Sequence, residues 1–479
     1  MPTLLADSVR VWLPELILSG GAMAVMLLGV WFRRASPAIL ATWLVLLCAG
    51  MSLWFSPTIP AGPAFFGLVT LDSLSLVFRW LALGVTGLVV AMASRASDVE
   101  REWTGELLGL ILFVGVGLML MAEATHLLMA VVSIELVSLS SYCLVALTRD
   151  ARSSEAALKY LLFGALSSGI MLFGISLLYG LSGELSFPLL KSAVGRLGPS
   201  AVGPLAVTVA LVLAGLAFKI SMVPFHMWTP DVYEGAPIAV AALLSVGPKA
   251  AGLALLFRLT QALQPLWGTL APLVLALTVL TMTLGNVVAL LQTNVKRLLA
   301  YSTIGQVGYL LIGFAVHTPL GLEAILVYLV AYLFMNLGAF ACVAAVHRDT
   351  GSESLEAFRG LAQRSPVLAL CLTLFLLSLA GIPPLVGFIG KFLLLGSAIE
   401  ARCVTLAVVG AINSAIALYY YVNIIRLMYL NAPARPEPLR SALSLRLALG
   451  LCGIATVGLG LFPGTLLAWL QAVAASSLL

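Results

Sequence analysis

Stretches of about twenty apolar residues recur along this chain, separated by short polar breaks, and no other feature restricts its fold so strongly. An α-helix rises 1.5 Å per residue, so about 20 apolar residues cross the hydrocarbon core of a bilayer. That ruler predicts fourteen spans, at 13–31, 38–55, 71–93, 105–122, 126–147, 156–180, 203–233, 237–258, 266–291, 299–316, 320–346, 366–400, 403–430 and 444–471. Of 479 residues, 61% are hydrophobic and 9% charged, against about 25% charged in a soluble domain. A water-soluble globule is excluded, and so is intrinsic disorder, which needs low hydrophobicity and high net charge. The expected fold is an all-α polytopic membrane protein: one membrane domain over 1–479 with no linker.

The same sequence argues against several chemistries. Cys48, Cys143, Cys342, Cys371, Cys403 and Cys452 lie in apolar stretches, and no two form C-x-x-C. Metal, iron–sulfur and haem-attachment readings lack support, and the cysteines read as small buried hydrophobes. Neither G-x-G-x-x-G nor a Walker A sequence occurs, and no Lys/Arg-rich run suggests nucleic acid, despite a net charge of +5. The first apolar segment follows an acidic leader, with Asp7 and Glu15, and reads as a retained span.

Lys and Arg in the connections set the orientation. One set of loops holds Arg33, Arg34, Arg95, Arg101, Arg149, Arg152, Lys296, Arg297, Arg348, Arg359, Arg364, Arg435 and Arg440. The opposite set holds Arg10, Lys191, Arg196, Arg258 and Arg402. The first set is expected in the cytoplasm, which puts both termini outside. The stretch 182–200 reads as an interfacial loop and 431–440 as a polar surface loop.

Spans 7 and 12 are too long for one straight crossing, and carry Pro224 and Pro383–Pro384 in their middles. They lie five spans apart. Because five is odd, spans 4–8 and 9–13 would be inverted copies. Inverted repeats with broken helices mark ion sites in transporters, whereas two ordinary proline kinks would mark nothing.

Charges in the apolar runs favour the first reading. Glu135 lies mid-way along span 5, Lys219 just before Pro224, Lys249 within span 8 and Lys391 just past Pro383–Pro384. Each costs about 2.5–3.5 kcal/mol at membrane depth, roughly 10–14 kcal/mol for the four. Snorkelling or a structural ion pair is the weaker reading for one such lysine alone, and weaker still for three lysines and a glutamate aligned with two helix breaks. Glu135 and Lys219 are the natural pair. Lys249 and Lys391 have no obvious partner in the sequence, and burial brings an unpartnered lysine toward proton exchange near neutral pH. That suits a proton carrier.

Weaker candidates surround them. Lys159 opens span 6 and is as suited to snorkelling as to proton conduction. His226 follows Pro224 and fits either packing or relay. Tyr301 follows Lys296–Arg297, where capping and anchoring are the plainer roles. His126, His317 and His347 lie at span ends. Asp72 and Arg79, seven apart on one helical face, are expected to form a structural pair.

The stretches ALKYLLFGALSSG (157–169), FKISMVPFHMWTPDVYEGAP (218–237), VKRLLAYSTIGQVGY (295–309) and LSLAGIPPLVGFIGKF (377–392) carry a family likeness. The chain resembles the antiporter-like membrane subunits of proton-pumping NADH:quinone oxidoreductase (respiratory complex I) and, beyond them, Mrp-type Na⁺/H⁺ antiporter subunits. Among the former it is most similar to the N-type members. It has no room for the lateral helix of L-type subunits, Lys391 stands where M-type subunits have glutamate, and it opens with WLPEL (12–16). Thr229 is a minor departure in the HMW-x-PD run.

The resemblance implies that Glu135 and Lys219 form the ion pair of spans 5 and 7, that Lys249 is the central lysine and that Lys391 is the terminal carrier. Lys159, His226 and Tyr301 match accessory proton-path positions. It divides the chain into three N-terminal helices (1–104), a first repeat (105–258), an inverted second repeat (266–430) and a C-terminal helix (444–471). It implies no cofactor on this chain, with NADH, FMN, Fe–S clusters and quinone in partner subunits. The expected partners are an M-type antiporter-like subunit, small membrane subunits and the lipid bilayer of a bacterial inner membrane. An Mrp-type Na⁺/H⁺ antiporter subunit, a membrane-bound hydrogenase subunit and an inert scaffold remain as alternatives.

Overall fold

Helices that are apolar on every side need surroundings other than water, and that is the form nearly all of this sequence takes. The computed structural model describes residues 8–32, 35–55, 62–94, 98–433, 437–439 and 442–477, without the side chain of Pro199. Asp7, Arg33, Arg34, Arg95, Arg435 and Arg440, used above for the leader and the orientation, lie outside the described residues.

The helices are α1 (Leu13–Phe32), α2 (Ala35–Trp54), α3 (Ser73–Ala93), α4 (Thr104–Glu123), α5 (Leu127–Val145), α6 (Ala151–Ser182), α7 (Phe187–Arg196), α8 (Val202–Ile220), α9 (Trp228–Gly235), α10 (Ile238–Ala262), α11 (Trp267–Ala289), α12 (Val295–Val316), α13 (Pro319–Thr350), α14 (Leu361–Arg364), α15 (Pro366–Ala380), α16 (Val386–Glu400), α17 (Val404–Leu430), α18 (Leu443–Leu461) and α19 (Gly464–Ser477). Among the described residues, thirteen helices are long and apolar enough to cross a bilayer. The predicted twelfth span is instead two 15-residue helices, α15 and α16. The chain is an all-α polytopic membrane protein. The expected interfacial loop at 182–200 contains α7. The one described hairpin pairs Gly62–Ala64 with Val69–Leu71.

Both predicted interruptions are real breaks, built alike. At the end of α8, Ser221 adopts φ 63°; Met222 N–H donates to Ala217 O at 2.8 Å and Ser221 N–H to Phe218 O at 3.1 Å. At the end of α15, Gly381 adopts φ 89°; Ile382 N–H donates to Leu377 O and Gly381 N–H to Ser378 O, both at 3.0 Å. Each is a Schellman ending, which satisfies two terminal carbonyls and leaves the last ones free. A cis X–Pro bond follows in each case, Val223–Pro224 and Pro383–Pro384.

A second local pattern also recurs. Leu127 N–H donates to Leu185 O and Phe187 N–H to Thr125 O, bridging His126 to Ser186. Val295 N–H donates to Glu353 O and Leu355 N–H to Thr293 O, bridging Asn294 to Ser354. The segment before α5 is thus stitched to the one after α6, and the segment before α12 to the one after α13.

Contacts gather the chain into two units. The first comprises Met1–Gly87, Glu100–Trp228 and Gly247–Val274; the second comprises Leu88–Val99, Thr229–Val246 and Leu275–Leu479. In the first unit, the expected Asp72–Arg79 pair is overturned. Arg258 clasps Asp72 with two hydrogen bonds of 2.9 and 2.8 Å. Arg79 instead binds Glu15 and Glu123, both buried. Spacing on one helix showed which residues share a face, but partners on α1, α4 and α10 are nearer than one seven residues away. Glu135 is therefore not the only acid inside the apolar helices.

Candidate functional site

In the first unit, α5, α6, α8, α9 and α10 contribute the site. Lys219 occupies the last turn of α8, where the helix dipole favours a cation. It is fully buried and its Nζ donates to Ser138 Oγ at 3.0 Å. Glu135 lies nearly one turn before Ser138 on α5 and accepts a hydrogen bond from Ser168 of α6. The predicted pair is therefore not in direct contact. Each member ends on a serine, and the carboxylate acts on the ammonium by its field.

Lys249, also 0% exposed, sits on α10 directly after Pro248, whose missing N–H leaves the carbonyl of Leu244 without its helical bond. The ammonium lies 4.7 Å from the centroid of the Trp228 ring, a cation–π placement. Trp228 opens α9 just past the break. Its Nε1–H donates to Phe218 O at the end of α8, and its ring stacks on Tyr160 at 4.3 Å. Tyr160 in turn meets Tyr142 edge-on at 4.7 Å. Lys219 and Lys249 are close enough for their charges to repel.

In the second unit, Lys391 is 4% exposed on α16. Its Nζ donates to Ala380 O at 3.2 Å and to Ser414 Oγ of α17 at 3.1 Å, and lies 4.1 Å from the Tyr309 ring centroid. Gln306 Nε2 donates to the neighbouring free carbonyl, Leu379 O, at 3.1 Å. The helix break thus supplies acceptors for one ammonium and one amide at a depth where lipid offers none.

A run of buried polar groups lies in the same unit. Asn336 Nδ2 donates to Ser245 Oγ at 2.6 Å. One turn before Asn336 on α13, Tyr332 Oη donates to Thr303 Oγ1 at 3.0 Å. Next to Thr303, Ser302 shares a hydrogen bond with Tyr421. Gln306 Nε2 also reaches Tyr421 Oη, at 3.2 Å, and its carbonyl accepts from Tyr328. Ser245 is four residues from Lys249 on α10, and Gln306 touches the helix end that holds Lys391. None of these hydroxyls and amides was singled out from sequence, nor were Trp228, Ser138 and Ser168. Such side chains are ordinary in membrane helices, and only their alignment across helices distinguishes them.

The accessory candidates fall elsewhere. Lys159 is 40% exposed and pairs with Glu155 at 2.8 Å. Tyr301 is half-buried near the start of α12. There Lys296 donates to Ala236 O at 2.7 Å and reaches Glu353 at 3.2 Å, and Arg297 binds Asp231 and Glu234 at 2.7 and 2.8 Å. His226 is buried inside the first break, its Nδ1 without a hydrogen-bond partner among the described residues.

Residues 124–417 match the family described as NADH:quinone oxidoreductase/Mrp antiporter, TM. The chain is 39% identical over 492 residues to NADH-quinone oxidoreductase subunit N of Anaeromyxobacter sp. (strain Fw109-5), covering 96% of this chain and 95% of that protein. It is 40% identical over 473 residues to NADH-quinone oxidoreductase subunit N 1 of Rhizobium meliloti (strain 1021), covering 97% of each. Its structure resembles a chain of respiratory complex I from Thermus thermophilus with bound aureothin, at 34% identity and TM-score 0.80, covering 95% of this chain and 98% of that one. A chain of the Mrp complex from Dietzia sp. DQ12-45-1b shares the fold, at 24% identity and TM-score 0.86, covering 98% and 97%.

Proposed function

Because this chain belongs to the NADH:quinone oxidoreductase/Mrp antiporter family of membrane proteins, we propose that it is the N-type subunit of a bacterial NADH:quinone oxidoreductase and moves protons across the inner membrane. The observation that carries this reading is the set of three lysines buried inside apolar helices, each beside a helix break or a proline and each facing a hydroxyl, a carbonyl or an aromatic ring. Buried charge of that kind is costly unless it is used.

The proton enters from the cytoplasmic face and is held at Lys249, where Trp228 stabilises the ammonium without competing for its proton. It passes on through hydroxyls and water to Lys391. The polar run from Ser245 to Gln306 supports such a route. At Lys391 the ammonium rests on Ala380 O and Ser414 before release to the outer face. Glu135 and Lys219 form the switch: drawing the carboxylate away leaves the Lys219 charge to act on Lys249. Two unit charges about 10 Å apart at an effective dielectric of about 20 repel by roughly 1.7 kcal/mol. Moving one charge against 100 mV costs about 2.3 kcal/mol, so one switch is comparable with the load and several coupled steps are needed.

Spans 4–8 and 9–13 act as inverted copies. The two Schellman-ended breaks and the two stitched segments recur at that five-span interval and support this division. Both termini lie outside. NADH, FMN, Fe–S clusters and quinone belong to partner subunits, among them an M-type antiporter-like subunit and small membrane subunits. The test is NADH-driven proton uptake by inverted membrane vesicles carrying Lys249→Ala or Lys391→Met. Normal assembly with a lowered proton/electron ratio is expected. An unchanged ratio refutes the reading in favour of a scaffold, proton movement driven by Na⁺ without NADH favours an antiporter, and co-purification with hydrogenase subunits favours a hydrogenase complex.

A further inference from the structure

Glu15, Arg79 and Glu123 are 0%, 3% and 0% exposed, as deeply buried as the lysines, yet the proposed proton route uses none of them. Glu15 lies in the first turn of α1, Arg79 in the second turn of α3, and Glu123 ends α4. Helices that cross alternately place those three ends on one face. Arg79 Nε donates to Glu123 Oε1 at 2.6 Å, and Arg79 Nη2 donates to Glu15 Oε2 at 3.0 Å. Nε also lies 2.8 Å from Glu15 Oε1 without hydrogen bonding to it.

The charges do not balance. Two carboxylates share one guanidinium, and among the described residues no second cation pairs with either: Arg10, ahead of α1, is exposed, and Lys249 of α10 lies over the Trp228 ring. Arg258 of α10 is taken by Asp72, with its Nε on Ala122 O. His126, which caps α5, uses Nδ1 to accept from Leu128 N–H. The titratable side chain that α2 carries is Cys48, which is exposed. Two fully ionised carboxylates would leave one net negative charge in a site closed to water. A buried group in that position neutralises instead, and of two carboxylates sharing a site only one ionises readily. A second observation points the same way. Glu15 Oε1 and Glu123 Oε2 are buried and lack hydrogen-bond partners among the described residues. Each oxygen lacks a donor, and a proton on either acid supplies one for the other.

We propose that Glu15 and Glu123 hold one proton between them beside Arg79, in a proton-binding site separate from the lysine series. Arg79 neutralises the remaining charge, and the acid O–H spans the two carboxyl groups.

Infrared spectra of the purified native assembly at neutral pH test this. Wild type minus Glu15→Gln is expected to show one carboxylic-acid carbonyl band, identified by its downshift in D₂O. Wild type minus Glu123→Gln is expected to show the same band, because the remaining carboxylate ionises against Arg79. Both single variants keep the charge balance, so both assemble and unfold within a few degrees of wild type. The double variant Glu15→Gln/Glu123→Gln strands Arg79 and loses assembly. Arg79→Gln gains one such band, since both acids then carry protons. Absence of the band from the wild-type spectrum, its loss in only one single variant, or failure of both single variants to assemble overturns the proposal. None of these readouts depends on pumping, so a negative result leaves the lysine route untouched.

Discussion

Glu135→Gln isolates the proposed switch from everything else the first unit does. Lys219 Nζ lies 3.0 Å from Ser138 Oγ, and Glu135 stands three residues before Ser138 on α5, where neighbours are about 5–6 Å apart. For two charges about 6 Å apart, on the scale of that spacing, the attraction at an effective dielectric of about 20 is roughly 2.8 kcal/mol. Glutamine keeps the shape and the contact with Ser168 but removes that attraction, a factor of about a hundred in any equilibrium that depends on the charged pair. The assay compares proton uptake with quinone reduction in inverted vesicles driven by NADH. Electron transfer and complex content are expected to hold while the proton/electron ratio falls by this chain's share. Glu135→Asp, which restores the charge at shorter reach, is expected to recover part of it. A Glu135→Gln complex that assembles fully and pumps at the wild-type ratio would refute the switch and the distance argument behind it.

Two further outcomes are accessible without pumping. A Cβ at Gly387 would collide with the backbone carbonyl oxygen of Ser378, which a side-chain rotation cannot relieve. Gly387→Ala is expected to force α15 and α16 apart at a cost of about 1–3 kcal/mol, lowering the thermal midpoint and loosening Lys391 from Ala380 O. A wild-type midpoint would show that the two half-helices are not packed as described. At the start of α3, burial pushes the Asp72 carboxyl up, but the charge and hydrogen bonds of Arg258, with those from Ser75, outweigh it and hold it below its ordinary value. A depressed carboxyl contributes stability that is present above its unfolded value and is lost as pH falls through the folded one, so the contribution should begin to fade below about pH 4 and disappear at more acid pH. Asp72→Asn is expected to lower stability by about 3 kcal/mol at neutral pH, and thermal unfolding of the variant should lose this acid-sensitive component.

What the sequence revealed follows from which forces are local. Apolar length is a local property, so the spans could be counted, and Pro224 and Pro383–Pro384 marked both breaks. Lys219, Lys249 and Lys391 stood out because a charge in an apolar run needs an explanation wherever its neighbours lie. Partner choice is not local. The Asp72–Arg79 expectation failed because the nearest opposite charges came from α1, α4 and α10. Glu15 reads as part of an acidic leader, although it is buried in the first turn of α1, and Glu123 was overlooked, because a residue near a span end looks wet until another helix covers it. The polar run through Ser245, Asn336, Tyr332, Thr303 and Tyr421 was illegible for a related reason. Single hydroxyls cost little in a helix, and their register across α10, α12, α13 and α17 is set by packing.

The carbonyl oxygens of Leu379 and Ala380, released where α15 stops, belong to the main chain. Side-chain replacement cannot remove them, so an alanine scan of this protein is blind to part of its wiring. Swapping the peptide bond that follows Ala380 for an ester, which weakens the acceptor, removes the Gly381 N–H that donates to Ser378 O and leaves every side chain in place, would reach what such a scan misses.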